Sequence, residues 1–188
     1  MMANIVADLE NIFSSVVTGA GDVVSSITNS TKGVVVKTTK AGGEVATTAI
    51  DTVGKVVSEG VNAASRAGVS SAQAVTGLVA GAIEGAKEVG EDVGTTTIEV
   101  SRGAIKGVSQ VGGDVGEAAV SAVEGAIKAA GDIGADSGEL AKGAVLGVLK
   151  AADEIGSEAG GIVKKALLGA VSLPHDIIDA LLNGQDNK

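Results

Sequence analysis

Charged and apolar positions along this chain keep a fixed distance from one another. Set the chain in rows of 22 beginning at Ser15, Lys37, Glu59, Gly81, Gly103, Gly125 and Gly147. Every charged residue between 15 and 168 then falls at position 1, 4, 7, 8, 11, 12, 15, 18, 19 or 22. A 22-residue period fits one coil of a parallel β-solenoid or two 11-residue helical units. Period-two alternation has no reason to produce this set of positions. Eleven residues in three turns, about 3.67 per turn, gather it onto an arc of about 130°. The opposite side, positions 2, 6, 9, 13, 17 and 20, reads Ala104, Val108, Val111, Val115, Ala119 and Ala122 in one row. A later row reads Val148, Ala152, Ile155, Ala159, Val163 and Ala166. The pattern predicts an all-α protein: an extended amphipathic helix, or a few long helices, built from 22-residue Gly/Ala/Val-rich repeats.

Three segments follow. Residues 1–14 form a lead-in helix, 15–168 hold seven 22-residue units, and 169–188 form a capping segment with a polar tail. The early rows, with Val34-Val35-Val36 and Thr38-Thr39, have more strand propensity, yet their charges keep the helical register. Breaks are expected at 28–31 and 41–43. Pro174, the only proline, favours the first turn of a helix and interrupts a continuing one. It predicts a short helix over 174–182, ended by Asn183-Gly184. A continuous helix over 15–168 would span about 230 Å at 1.5 Å per residue. Folding back at a glycine cluster is the alternative, and the sequence leaves both open.

Glycine is the second pattern. There are 29, and each one inside a helix costs about 1 kcal/mol relative to alanine. A lone helix carrying this load is expected to be mostly disordered in water. The placement is regular. Positions 10 and 14 give Gly90/Gly94, Gly112/Gly116, Gly134/Gly138 and Gly156/Gly160, a Gly-x-x-x-Gly pair in four rows. Positions 1 and 5 give Gly81/Gly85 and Gly103/Gly107, continued by Gly125 and Gly147. Glycines at this spacing flatten a helix so that another backbone can approach. The eight residues of the first set are the expected helix–helix packing positions. Val89, Val93, Val111, Val115, Ile133, Ile155 and Val163 are the expected contacts to an apolar surface. Asp114, Glu117, Asp136, Glu139, Glu158 and Lys164 are expected to face water.

Composition narrows the function. Phe13 is the only aromatic residue, cysteine is absent, and 14 Lys+Arg stand against 23 Asp+Glu for a net charge of −9. Bases interspersed with acids argue against nucleic acid, which needs clustered Lys and Arg. The N-terminus has acids and no basic region, so it is a poor secretory signal. The longest uncharged stretch, Ala67–Ile83, contains Ser70, Ser71, Gln73 and Thr76 and falls short of the ~20 apolar residues of a bilayer span. The expectation is a cytoplasmic protein, or one peripheral to a membrane or lipid surface.

Val34-Val35-Val36-Lys37-Thr38-Thr39-Lys40-Ala41-Gly42-Gly43 is similar to the Lys-Thr-Lys-x-Gly-Val repeat of synucleins. With its period, the chain resembles 11-residue-repeat amphipathic proteins: synucleins, exchangeable apolipoproteins and perilipins. The resemblance lies in architecture, and it implies an extended helix on a lipid or other apolar surface.

Little points to catalysis. His175, the only histidine, sits beside Asp176 with no nucleophile near it in sequence, and reads as a first-turn residue. Asp132/Asp136 and Asp153/Glu154/Glu158 lie at helical spacing on a solvated face, without the loop that a calcium site needs. No phosphate-loop motif is present. The expected protein is non-enzymatic, without cofactor, metal or small-molecule substrate. It packs laterally with copies of itself and coats or encloses lipid or another apolar surface. A helical filament without lipid is the first alternative. A disordered protectant that folds on partners or on drying is the second.

Overall fold

A computed structural model describes residues 2–18, 22–42 and 46–183. Nine helices occupy them: α1 (Met2–Thr18), α2 (Val23–Gly42), α3 (Ala46–Arg66), α4 (Ser71–Glu88), α5 (Val93–Gln110), α6 (Val115–Ile133), α7 (Ser137–Ile155), α8 (Ser157–Gly169) and α9 (His175–Asn183). The all-α expectation holds. The extended helix, and the few long helices offered in its place, do not: among the described residues no helix exceeds 21 residues, and successive helices pack on one another.

Glycine makes the turns. Gly68, Gly90, Gly112 and Gly134 follow one another at 22-residue intervals, with φ of +78°, +80°, +71° and +68°. Left-handed φ at the end of a helix favours glycine, which has no Cβ to clash. The hydrogen bonds around them cap the preceding helix. At Gly90, its N–H donates to the Lys87 carbonyl and the Glu91 N–H to the Ala86 carbonyl, and Gly112 and Gly113 repeat the pair on Ser109 and Val108. Two residues after each glycine, a polar side chain starts the next helix. Ser70 accepts from Gln73 N–H, Asp92 from Thr95 N–H, Asp114 from Gly116 and Glu117 N–H, and Asp136 from Glu139 N–H. Glycine stop and aspartate start together satisfy backbone groups that a helix end leaves bare. Gly156, at φ +148°, separates α7 from α8 with no side-chain cap. One 22-residue interval is thus one helix and one turn, rather than six turns of continuous helix.

The break expected at 28–31 is absent. Those residues lie inside α2, where Thr28 and Thr31 are buried and the Thr28 hydroxyl donates to the Val24 carbonyl. Near the break expected at 41–43, α2 ends at Gly42, and residue 43 lies outside the described residues. The Pro174 helix is present as α9, while Gly184, its expected stop, is also outside them.

Helices α1 to α5 each pack more heavily on the helix two further along than on the next, while α6 and α7 pack more on their immediate successors. Helices α2, α4, α6 and α8 therefore form one layer, and α1, α3, α5, α7 and α9 the other. Consecutive helices touch across the layers, and among the described residues no helix reaches beyond its second neighbour. Between the layers lies one core of small aliphatic side chains. The predicted apolar stripe runs through it: Ala104, Val108, Ala119, Ala122, Val148, Ala152 and Val163 are fully buried. The accessible surface, 8455 Å², matches the roughly 8,100 Å² expected of a globular protein of this mass. The stripe is covered by the chain itself.

Candidate interaction surfaces

Within a layer the helices run parallel and touch through glycine. A Cβ at Gly103 would overlap the Gly54 carbonyl, and one at Gly107 would stand 2.8 Å from the Ser58 carbonyl oxygen. The same relation joins Gly147 to the Ile98 carbonyl, and it joins Gly125 to the Thr76 carbonyl at 2.7 Å. On α4, Gly77, Gly81 and Gly85 receive Ile27, Thr31 and Val35 of α2 in turn. Partners advance together along both helices, which fixes the parallel sense. Carbonyls so close to glycine Cα–H groups are the geometry of weak Cα–H···O contacts, and the approach gains dispersion along the whole helix length. These contacts set the glycine load of the helices against tight packing within one chain.

The contact glycines are those of positions 1 and 5, together with Gly77. The set expected to pack helices, at positions 10 and 14, has other roles. Gly90, Gly112, Gly134 and Gly156 are turn residues, and nothing in the chain lies within 4 Å of where their Cβ would be. Gly94, Gly138 and Gly160 stand in the first turn of a helix, where a Cβ would meet chiefly the side chains of Asp92, Asp136 and Asp153. Gly116 alone of the eight sits tightly against a neighbouring helix, beside Ile162 and Ala166 of α8. The reason is the turn at position 10: it takes that column out of the helix and leaves the next column at the helix start.

The residues expected on an apolar surface are scattered by the same turns. Val89 and Val111 cap helix C-termini, and Val93 and Val115 open the next helices. All four are half-buried, as is Ile133. Val163 is fully buried, and only Ile155 is exposed. No continuous apolar strip is presented to solvent. Of the residues expected to face water, Asp114, Glu117, Asp136, Glu139 and Glu158 are exposed and Lys164 is half-buried.

The outer face of each layer is charged and cross-linked. On the α3–α5–α7 layer, Glu154 receives Arg102 at 2.6 Å and Lys106 at 2.7 Å, and Arg102 also reaches Glu99. The lysine and then the arginine hold the Glu154 carboxyl below its usual range. A groove of about 540 Å³ runs beside this ladder, between α3 and α5, with Asp51, Lys55, Glu59 and Glu99 on its walls. On the other layer, Lys128 bonds Asp132 at 2.6 Å and approaches Glu84 at 4.0 Å. Burial pushes the Glu84 carboxyl up, with Asp132 adding to the effect, while the Lys128 bond pulls Asp132 down. Lys32 joins α2 to Glu88 of α4. These mixed-sign faces tie neighbouring helices together. Among the described residues no three metal-ligating side chains converge, and no helix is long and apolar enough to cross a membrane.

The two ends of the stack differ from its middle. On α8, the edge that would receive a further helix bears the half-buried Lys164 and the exposed Leu168, followed by Val171. Leu168 is 45% exposed and Val171 93%. On α2, the opposite edge presents Asn29, Gly33, Lys37 and Lys40. Nothing lies within 4 Å of a Cβ at Gly33. Beside it, between α1 and α2, a groove of about 420 Å³ is floored by Ile12, Gly33 and Val34 and rimmed by Asp8, Asn11 and Lys37. The sequence pattern did not single out Leu168, Val171 or Gly33; their signal is exposure at an end of the stack, which only the fold reveals.

Compared with known proteins, the chain matches no family model and no curated protein.

Proposed function

We propose that this chain is a non-enzymatic structural protein that self-associates, the helical stack of one copy being continued by another. The observation that carries the reading is the uncovered edge of α8. Equivalent edges inside the stack are covered by a helix, whereas here Leu168 and Val171 stand in solvent. Leu168 and Val171 are grouped at a single edge, and grouped rather than scattered exposed aliphatic side chains favour contact with a partner. The burial of the apolar stripe favours protein over lipid as the main partner, because little greasy surface is left to coat a lipid phase.

A lipid surface is the second reading. It draws on Ile162, also exposed, which with Leu168 and Val171 flanks Lys164 and Lys165. Sedimentation velocity over a concentration series, with and without neutral phosphatidylcholine vesicles, separates the two. Self-association predicts growth in size with protein concentration and no vesicles. Co-flotation of a protein that stays monomeric without vesicles would support the lipid reading and overturn the first.

A further inference from the structure

We infer that the partner of the α8 edge is the α2 edge of a second copy, so that copies join head to tail. This rests on the self-association proposed above and names both of its faces.

The in-chain contacts supply the register. Two interior helices, α4 and α5, each carry a carbonyl that receives the following helix of the layer and, five residues later, a glycine that seats on the preceding one. Thr76 and Gly81 of α4 are such a pair, as are Ile98 and Gly103 of α5. On α2 the carbonyl is that of Thr28, used by Gly81, and five residues on stands Gly33, with nothing against it. On α8 the same position of the 22-residue row is Gly169, with nothing within 4 Å of where its Cβ would be, and five residues before it stands Lys164, on the side of α8 away from the Ile162 and Ala166 that meet Gly116 of α6. Placing Gly33 of one copy over Lys164 of another repeats the step by which α4 follows α2.

Shape agrees with this. The exposed Leu168 and Val171 are projections, and the groove floored by Ile12, Gly33 and Val34 is a recess on the opposite end. Lys37, on the rim of that recess, is already paired with Asp8 at 3.6 Å, and Glu154 with Arg102 and Lys106, so fit rather than charge sets the pairing. Such a contact is heterologous: it leaves one free end of each kind and grows into chains or closed rings.

Two variants test it by sedimentation. Gly33→Leu fills the α2 edge, and the double change Leu168→Asp with Val171→Asp spoils the α8 edge. All three positions are exposed, so monomer helicity and unfolding midpoint are expected to survive, and both are measured. Asn29→Trp serves as a second α2-edge variant that adds bulk one turn before Gly33, at another exposed position. Each variant alone is expected to stay monomeric at ten times the concentration at which the wild type assembles. A mixture of the Gly33→Leu and α8-edge variants is expected to stop at one-to-one dimers, because each brings one intact face. Wild-type protein that stays monomeric at every concentration would overturn self-association and this pairing together. Wild-type assembly with Gly33→Leu assembling equally well, or a mixture that forms no dimer, would overturn the pairing and leave self-association standing.

Discussion

Two glycine columns run through the repeats, and they do opposite things. At Gly81, Gly103, Gly125 and Gly147 the backbone is ordinary helix and the space beside it is filled by a neighbour's carbonyl. At Gly68, Gly90, Gly112 and Gly134 the space is open and the backbone is left-handed. The first column needs glycine because of what lies next to it, the second because of how the chain bends. In sequence both read as small residues at a fixed period.

Alanine separates the columns. Gly103→Ala forces its Cβ into the Gly54 backbone, and helices α3 and α5 must part along their length. Overpacking of this kind typically costs about 1–3 kcal/mol, occasionally more, and a rigid backbone as the obstacle places this site at about 3 kcal/mol. Urea denaturation reads the loss as a lower midpoint. A cost below about 1 kcal/mol would mean that the layer does not depend on the close approach. Gly112→Ala meets no atom but must hold φ near +71°. Left-handed backbone costs a residue with a Cβ roughly 1–2 kcal/mol, part of which returns through a less flexible unfolded chain. The expected net loss is about 1 kcal/mol in the same assay. The partner of that turn, Asp114, accepts from two backbone N–H groups at 2.8 and 3.0 Å, so Asp114→Ala should lose about 1 kcal/mol as well. Gly131 belongs to neither column: it is exposed, helical and free of neighbours. Gly131→Ala should raise stability by up to about 1 kcal/mol. A loss there would show that the molecule has a contact at this face.

The smallest effect concerns the two charged ladders. Glu84 has its carboxyl raised by burial, and one of its oxygens is buried without a hydrogen bond. A raised carboxyl favours folding below its ordinary range and loses that contribution as pH rises through it. Glu84→Gln should therefore stabilise by about a few tenths of a kcal/mol at neutral pH, with the gain fading on acidification. Asp92, Asp132 and Glu154 are shifted down, by the Thr95 backbone, by Lys128, and by Lys106 with Arg102 respectively. Their contribution is present above the ordinary carboxylate range and is lost as pH falls through it. Unfolding midpoints of wild type and Glu84→Gln against pH test both signs: the wild type should weaken toward acid, and the variant should weaken more steeply.

Much of this architecture was legible and some of it was misread for a physical reason. The charge register identified helices and placed Ala104, Val108, Ala119, Ala122, Val148 and Ala152 on the buried side, where they lie. A period of 22 fits two 11-residue units of a continuous helix as well as one helix and one turn, because charges cluster on one face whether the helix runs on or stops and restarts in register. What distinguishes the cases is the pairing of a glycine with an aspartate two residues later: Gly90 with Asp92, Gly112 with Asp114, Gly134 with Asp136. That is a helix stop followed by a helix start, visible in sequence, and a stronger signal than the Gly-x-x-x-Gly spacing that overlies it. The self-burial of the apolar stripe follows from the turns: once the chain reverses every 22 residues, each stripe faces another. The exposed edges at Gly33 and at Leu168 and Val171 have no sequence signature, since identical residue types inside the stack are covered.

The central claim is that glycine-lined helices order themselves against one another within a single chain, with no lipid required. Far-UV circular dichroism on dilute protein, at a concentration where sedimentation shows monomer and with no lipid or detergent present, tests it most directly. The account predicts a strongly helical monomer that unfolds cooperatively in urea. A monomer that is largely coil and gains helix only on adding vesicles would contradict it.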